Sequence, residues 1–411
     1  MSSVSLYCKV HLPQGLQHYS SADIGFGAGY FNMAADEQAV NHLSDECYLP
    51  ANKIIASLIE NHKGKFKLAY SISGTALELL AHYRPDVIAS FQQMAKTGCV
   101  EFLAETYYNS LSWLYSKKEF QHQVEKHDAL VKELFGVTPV VFRNTELIYN
   151  NELAGFMAAM GYKGIVCEGL ERILQGRDPN QMYTAPAAEY MGLLLRHVSL
   201  SDDIAFRFGS NYWNEHPLTA EKYAGWIHAH TDACNINILL DYETFGIHKK
   251  TGTGIFEFLQ NLPAAVMKNK NWKFTTPSEA LKQCRAKDVY NIEETISWKD
   301  KEIECCVWCE NTHQNNMLKK IYSLENMVYK NGTPAEINAW RQLQSADYFY
   351  YMSGHDRTAD DAYQYLNPFA SAEEAHKNYL NIITDFEIKL IEKGLSKFKE
   401  ENHQSTHTSL Y

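Results

Sequence analysis

Two acidic segments carry the side chains best suited to chemistry in this 411-residue chain. One is Phe142-Arg143-Asn144-Thr145-Glu146-Leu147-Ile148-Tyr149, the other Leu239-Leu240-Asp241-Tyr242-Glu243-Thr244-Phe245-Gly246. Each starts as an apolar, strand-like run and ends in a carboxylate beside polar and aromatic residues. Asn235-Ile236-Asn237-Ile238-Leu239-Leu240 reads as a buried strand. A carboxylate directly after such a strand stands where α/β barrels keep their chemistry, at the C-terminal rim. Two carboxylates facing each other across that rim suit glycoside hydrolysis, where one attacks the sugar and the other protonates the leaving oxygen. Glu146 is the expected nucleophile, held ionised by Arg143. Asp241 is the expected acid/base, partly desolvated behind its leucine-rich strand, with Glu243 as a like charge nearby. The plainer alternatives are a helix cap or an Arg143 partner for Glu146, and caps of a helix from Thr253 onward for Asp241 and Glu243.

His11 follows the first strand in Val10-His11-Leu12-Pro13, where a histidine is more often a hydrogen-bonded structural residue than a ligand. With His248 and Asp241 it would make a His/His/Asp metal set, but no ligand spacing supports one. Glu101, inside the apolar strand Cys99-Val100-Glu101-Phe102-Leu103, must be paired or face a polar cleft. Cys305, Cys306 and Cys309 cluster without a second cluster or His pair to complete a zinc pattern. They read as ordinary reduced cysteines. Thr251-Gly252-Thr253-Gly254 lacks the downstream Lys-Ser/Thr of a phosphate loop.

The elements that must position these residues alternate as a β/α repeat should. Strands are predicted at 5–10, 67–71, 99–103, 140–143, 164–167, 204–208 and 235–240, with helices at 75–82, 85–97, 117–135 and 150–160. From about Tyr290 strand-like runs vanish, and 298–329, 333–351 and 373–399 read as long helices, with a stop and restart at Asn331-Gly332-Thr333-Pro334. A barrel over 1–287 and a helical bundle over 288–411 are therefore expected, with Trp298, Trp308 and Trp340 joining the two. An excess of 49 acidic over 38 basic residues, net −11, argues against a nucleic-acid partner. With no apolar run long enough to span a membrane and no signal-like start, a cytoplasmic location is expected. The 26 Tyr, 19 Phe and 7 Trp suit core packing first and sugar stacking second.

Taken in order, these segments resemble glycoside hydrolase family 57, its α-amylase-type members above all. The family's His-Gln-Pro region is similar to His11-Leu12-Pro13, with Leu12 in place of Gln. Its Gly-x-Val-Glu region is similar to Gly98-Cys99-Val100-Glu101. The nucleophile region resembles Val141-Phe142-Arg143-Asn144-Thr145-Glu146, and the Asp-x-Glu-x-Phe-Gly region resembles Asp241 to Gly246. Thr276-Pro277-Ser278-Glu279 is similar to the fifth region. The resemblance implies an α/β fold, an incomplete seven-stranded β/α barrel followed by a C-terminal helical bundle. It implies retaining cleavage of α-1,4-glucosidic bonds in α-glucans or malto-oligosaccharides, without metal or other cofactor. Glu146 and Asp241 would be catalytic, and His11, Glu101, Arg143, Tyr242, Glu243 and His248 would contact the sugar. The alternatives are a 4-α-glucanotransferase or branching enzyme, or a non-catalytic glucan-binding homologue. The chain ends soon after its bundle, which favours the amylase among them. A metal-dependent polysaccharide deacetylase would need the His/His/Asp cluster that the spacing does not assemble.

Overall fold

Short apolar runs, most of them β-branched or leucine-rich, supply most of the ten strands among the residues that the computed structural model describes, which are 1–298, 308–353 and 366–408. In chain order they are β1 (Ser2–Val10), β2 (Leu68–Ile72), β3 (Val100–Phe102), β4 (Val141–Arg143), β5 (Gly164–Glu168), β6 (Met182–Ala185), β7 (Ala188–Arg196), β8 (Asn235–Asp241), β9 (Trp272–Phe274) and β10 (Ala286–Val289). Seven of them form a parallel wall in the order β4-β5-β7-β8-β1-β2-β3. The wall thins at two seams, a single Ala104–Phe142 bridge between β3 and β4 and a single Arg196–Asn237 pairing between β7 and β8. This is the expected incomplete barrel. β6 runs antiparallel to β7 and carries β10 on its other edge, while β9 flanks the start of β1.

Strand periodicity sorts the interior into layers. Tyr7, Leu103, Val141, Val166, Leu194 and Leu239 point inward and pack into one apolar plug with Ala69 and Leu147. Two residues on, side chains return to the same face. There β1, β4, β5, β7 and β8 present Lys9, Arg143, Glu168, Arg196 and Asp241. An apolar floor thus lies beneath a charged layer at the C-terminal ends of the strands.

The strand expected over 204–208 is a correction. Val198–Asp202 and Asp203–Arg207 are helical turns, opened by His197, whose Nδ1 accepts from the Leu200 amide. Ile204 and Phe208 are both buried at a spacing of four, a helical repeat that short alternating patterns also mimic. The seventh wall strand is β7, which was not among the predicted strands. Cys234 and Cys284 form a disulfide that ties the entry of β8 to the end of the helix Pro277–Gln283.

The chain divides into two compact units, one of Met1–Leu12, Glu37–Tyr107 and Gln121–Cys306, the other of Pro13–Asp36, Tyr108–Phe120 and Val307–Tyr411. The wall belongs to the first. The second is helical, with Thr312–Ser323, Glu325–Asn331, Pro334–Gln342, Ala346–Tyr350 and Ala372–Thr408. Two of its polar contacts are internal: the Trp340 indole donates to the Ile321 carbonyl at 2.8 Å, and Arg341 pairs with buried Glu119 at 3.0 Å. The predicted restart is a capping box between Thr333 and Glu336. The predicted helix over 333–351 is broken near Ser345 instead. Cys305, Cys306 and residues 299–307 of the helix predicted over 298–329 lie outside the described residues, and the described part becomes helical at Thr312. No helix among the described residues is long and apolar enough to cross a membrane.

Candidate active site

Glu146 reaches the charged layer because the chain turns sharply after β4. Asn144 starts the turn: its side chain accepts from the Thr145 amide at 2.9 Å and donates to the Ile148 carbonyl at 3.0 Å. The Thr145 hydroxyl meets that of Thr106 at 2.6 Å. Glu146 and Leu147 then take left-handed backbone angles, φ 54° and 52°. Such conformations disfavour residues with a Cβ and persist where surroundings impose them. Backbone partners impose them: Tyr149 and Ile296 exchange both backbone hydrogen bonds, and the Trp298 amide donates to the Glu146 carbonyl. The Trp298 indole donates to Glu146 Oε2 at 2.7 Å. Trp298, expected to join bundle to barrel, sits in a turn and holds the candidate nucleophile.

The other Glu146 oxygen, Oε1, accepts from Lys9 Nζ at 3.1 Å. The same ammonium lies 3.9 Å from Asp241 Oδ1. Glu146 is fully buried and the Asp241 side chain is 29% exposed, so the second carboxylate faces the open end of the layer. Arg143 does not hold Glu146; its guanidinium is paired with buried Glu105 at 3.7 Å. Both sit on the inner face, but the turn after β4 carries Glu146 across to β1. Arg196 similarly pairs with Glu168 at 2.9 Å and with Asp202.

After Asp241 the strand gives way to a single helical turn, Tyr242–Thr244, so Glu243 is not on the alternation expected of a continuing strand. It is buried and accepts from the Tyr48 hydroxyl at 2.5 Å. The fit depends on Gly246, at φ +112°, where a Cβ would fall 2.0 Å from the Glu46 carbonyl oxygen. A π-helical turn over Ser44–Tyr48 brings Cys47 and Tyr48 to this segment. Tyr242 is fully buried, its hydroxyl donating to Asn52 at 2.5 Å and its ring stacked with Tyr48. It packs behind the site.

Glu101 is paired in register with Ala69, which lies level with Tyr7, two residues below Lys9, or roughly 6.6 Å along the strand. It accepts from the Ser278 amide at 2.9 Å, and burial pushes its carboxyl up. The structure therefore separates Glu101 from the Lys9, Glu146 and Asp241 cluster. His11 lies two residues beyond Lys9, its Nδ1 2.7 Å from the Ser73 hydroxyl. His248 is half-buried and its amide donates to the Glu243 carbonyl at 2.9 Å. No group of three or more His, Cys, Asp or Glu side chains placed to hold a metal is found among the described residues. The reading of the chain missed Lys9 and Trp298. A lysine inside Leu6-Tyr7-Cys8-Lys9-Val10 was the available signal, since a charge buried in a strand must be paired.

Burial, reinforced by the charge of Asp241, pushes the Glu243 carboxyl up to about 8, while the Tyr48 hydroxyl and Lys9 oppose the rise. Unfolded, it would ionise near 4.5. Between those values the unfolded chain releases a proton that the folded chain keeps, so stability from this group falls as pH rises. Glu243→Gln should remove that slope. Its Tm is expected to match the parent near pH 4 and to exceed it by about 3 °C or more at pH 8.5, measured by calorimetry. An unchanged difference across that range would show that Glu243 is not held neutral.

The sequence profile of glycosyl hydrolase family 57 matches residues 5–293. A Methanocaldococcus jannaschii protein provisionally assigned as an alpha-amylase is 36% identical over 394 residues, covering 93% of this chain and 83% of its own. The chain belongs to glycosyl hydrolase family 57, and is a glycoside hydrolase enzyme by that membership. Solved structures share its fold. The alpha-amylase of Thermotoga maritima superimposes with a TM-score of 0.62 at 13% identity, over 95% of this chain and 93% of that one. A 4-alpha-glucanotransferase from Thermococcus litoralis gives 0.66 at 16% identity, over 85% of this chain, which spans 56% of that protein. A GH57-type branching enzyme from Pyrococcus horikoshii gives 0.64 at 13%, over 85% of each.

Proposed function

We propose that this protein is a retaining enzyme that cleaves α-1,4-glucosidic bonds of α-glucans or malto-oligosaccharides through a covalent glycosyl-enzyme. One observation carries the reading: Glu146 and Asp241 approach the same Lys9 nitrogen, at 3.1 and 3.9 Å. Their nearest oxygens are therefore at most 7.0 Å apart, the sum of the two distances. That bound accommodates the roughly 5–5.5 Å of retaining enzymes and excludes the upper part of the inverting range, about 6.5–9.5 Å. In this reading Glu146, with each oxygen held by a donor, attacks the anomeric carbon. Asp241, nearer solvent, protonates the leaving oxygen and then deprotonates the incoming water. His11 and His248 contact sugar hydroxyls, Arg143, Tyr242 and Glu243 pack behind the two acids, and Glu101 stands one layer below them. The carboxylate pair supplies both acid–base and nucleophilic catalysis, so the proposed steps call for no cofactor. The 36% identity to the archaeal protein supports hydrolysis over transfer.

Incubation with maltoheptaose and separation of the products tests the assignment. Hydrolysis yields shorter sugars alone. A ladder that includes longer chains would reassign the protein as a transferase that uses a sugar in place of water. Binding without any product would favour a non-catalytic glucan-binding role and overturn the proposal.

A further inference from the structure

Independently of the catalytic reading, we propose that the first unit carries a second binding site, at the N-terminal ends of its strands, which takes the phosphate groups of a small phosphorylated molecule. The site is a cavity of about 510 Å³, within the roughly 300–1,000 Å³ usual for small-molecule sites. Strand pairing creates it. β8 occupies one edge of β1 over residues 3–9, so β2 and β9 must share the other, β2 at 7–10 and β9 at 2–4. The segment leading into β2 therefore cannot continue down β1, because β9 already holds that edge. Residues of that segment, of β9 and of the helix Pro277–Gln283 line the cavity. Phe66 is turned inward, its ring meeting that of Phe274 edge-on at 5.0 Å. Its neighbours Lys65 and Lys67 are left on the cavity side.

Its charge is one-sided. Lys65, Lys67, Lys270 and Lys273 line the cavity, and Glu279 is the one carboxylate among the lining residues. Glu279 is already engaged, pairing with Lys67 and accepting from the Thr276 amide. Among the described residues no carboxylate pairs with Lys65, Lys270 or Lys273. Three ammoniums thus share one concavity without a counter-ion, in a chain whose net charge is −11. A concave wall of one sign focuses its field and draws in ions of the other. Phosphate suits this wall, because its oxygens accept charge-assisted hydrogen bonds from several ammoniums at once. Trp272 and Phe274, 4% and 3% exposed, supply an apolar floor for the body that carries the phosphate. An uncharged glucan would leave the three charges unmatched. Phe274 lies level with Val4, five residues before Lys9 on β1, or roughly 17 Å along the strand. The apolar plug around Tyr7 stands between the two sites, so an occupant of this cavity does not reach Glu146 or Asp241.

Isothermal titration of the full chain with ADP, glucose 1-phosphate and inorganic pyrophosphate, in the absence of divalent cations, tests the site. A Kd on the order of 100 μM is expected for at least one of them at low salt, weakening by about tenfold at roughly 0.5 M salt as the lysine charges are screened. Lys65→Ala combined with Lys270→Ala should weaken that binding by about tenfold; both lysines are exposed, so the fold is retained. Lys132→Ala combined with Lys250→Ala removes the same charge from exposed positions elsewhere and should leave the Kd unchanged. At saturation the ligand should raise the Tm of the parent by about 2 °C or more and leave that of the Lys65/Lys270 variant unmoved. Tighter binding of ADP or glucose 1-phosphate than of pyrophosphate identifies an ester whose body rests on the apolar floor. Equal or tighter binding of pyrophosphate identifies inorganic phosphate as the occupant of the same site. Should the double variant fail to fold, Lys65→Gln alone is read by the same titration. Absence of binding by all three at about 5 mM, far above the Kd that several charge-assisted contacts predict, would overturn the inference. Equal weakening by the two pairs of substitutions would overturn it too, since net charge and not the cavity would then be what the anion meets.

Discussion

Glu146→Gln is expected to lower kcat on maltoheptaose by roughly four to six orders of magnitude, as removal of a covalent nucleophile does elsewhere, while the dissociation constant changes less than about threefold. The amide keeps the shape of the carboxylate, and its oxygen still accepts from the Trp298 indole, which stands 2.7 Å away. What disappears is the negative charge that, in the proposed mechanism, attacks the anomeric carbon and that opposes Lys9 at 3.1 Å. Isothermal titration with maltoheptaose measures binding, and product formation over days measures residual turnover. Glu146→Ala adds a positive readout. With space where the carboxylate stood, azide should restore reaction with an α-maltosyl fluoride and give a β-glycosyl azide, because it attacks from the face the nucleophile used. A variant that retains a tenth of parental kcat would remove Glu146 from the mechanism.

Asp241→Asn is expected to discriminate between leaving groups. Cleavage of a glucosidic bond expels an alkoxide that needs a proton, and loss of a positioned acid costs about 10²–10⁴-fold. Fluoride needs no proton, so glycosyl-enzyme formation from the maltosyl fluoride should slow by less than about tenfold. In the proposed mechanism the same variant lacks the base for the second step, so mass spectrometry should find the chain carrying one glycosyl group on Glu146. Azide should release that group with the α configuration. The exposure of Asp241, 29% against complete burial for Glu146, makes it the carboxylate that a leaving oxygen and an incoming water can both reach. Equal loss on glucans and fluoride would argue that Asp241 does not supply the proton.

Much of the wall was legible because strand and helix patterns repeat within single segments. Apolar runs marked β1, β2, β3, β4, β5 and β8, and polar or glycine residues marked their ends. The run at 204–208 misled because alternation over five residues also fits one buried helical face. β7, which reads Ala-Glu-Tyr-Met-Gly-Leu-Leu-Leu-Arg, was hidden by the exposed Glu189 and Tyr190 near its start and by Gly192 at its middle. The strand-end carboxylates Glu146 and Asp241 stood out because each closes an apolar run.

The chain by itself determined that a β/α repeat precedes a helical region and that two acids stand at strand ends, since local propensity and periodicity need only neighbouring residues. Only the tertiary structure decided which charges meet. Arg143 lies three residues from Glu146 yet pairs with Glu105, while Lys9, 137 residues away, takes the carboxylate. Register between strands sets that choice: Lys9 stands opposite Asp241, and the turn built by Asn144 and Thr145 swings Glu146 to the same nitrogen. The indole of Trp298 arrives by an antiparallel bridge between Tyr149 and Ile296. The physical reason is that an ion pair in a buried layer is fixed by distance and desolvation, and both arise only when distant segments close around a common interior.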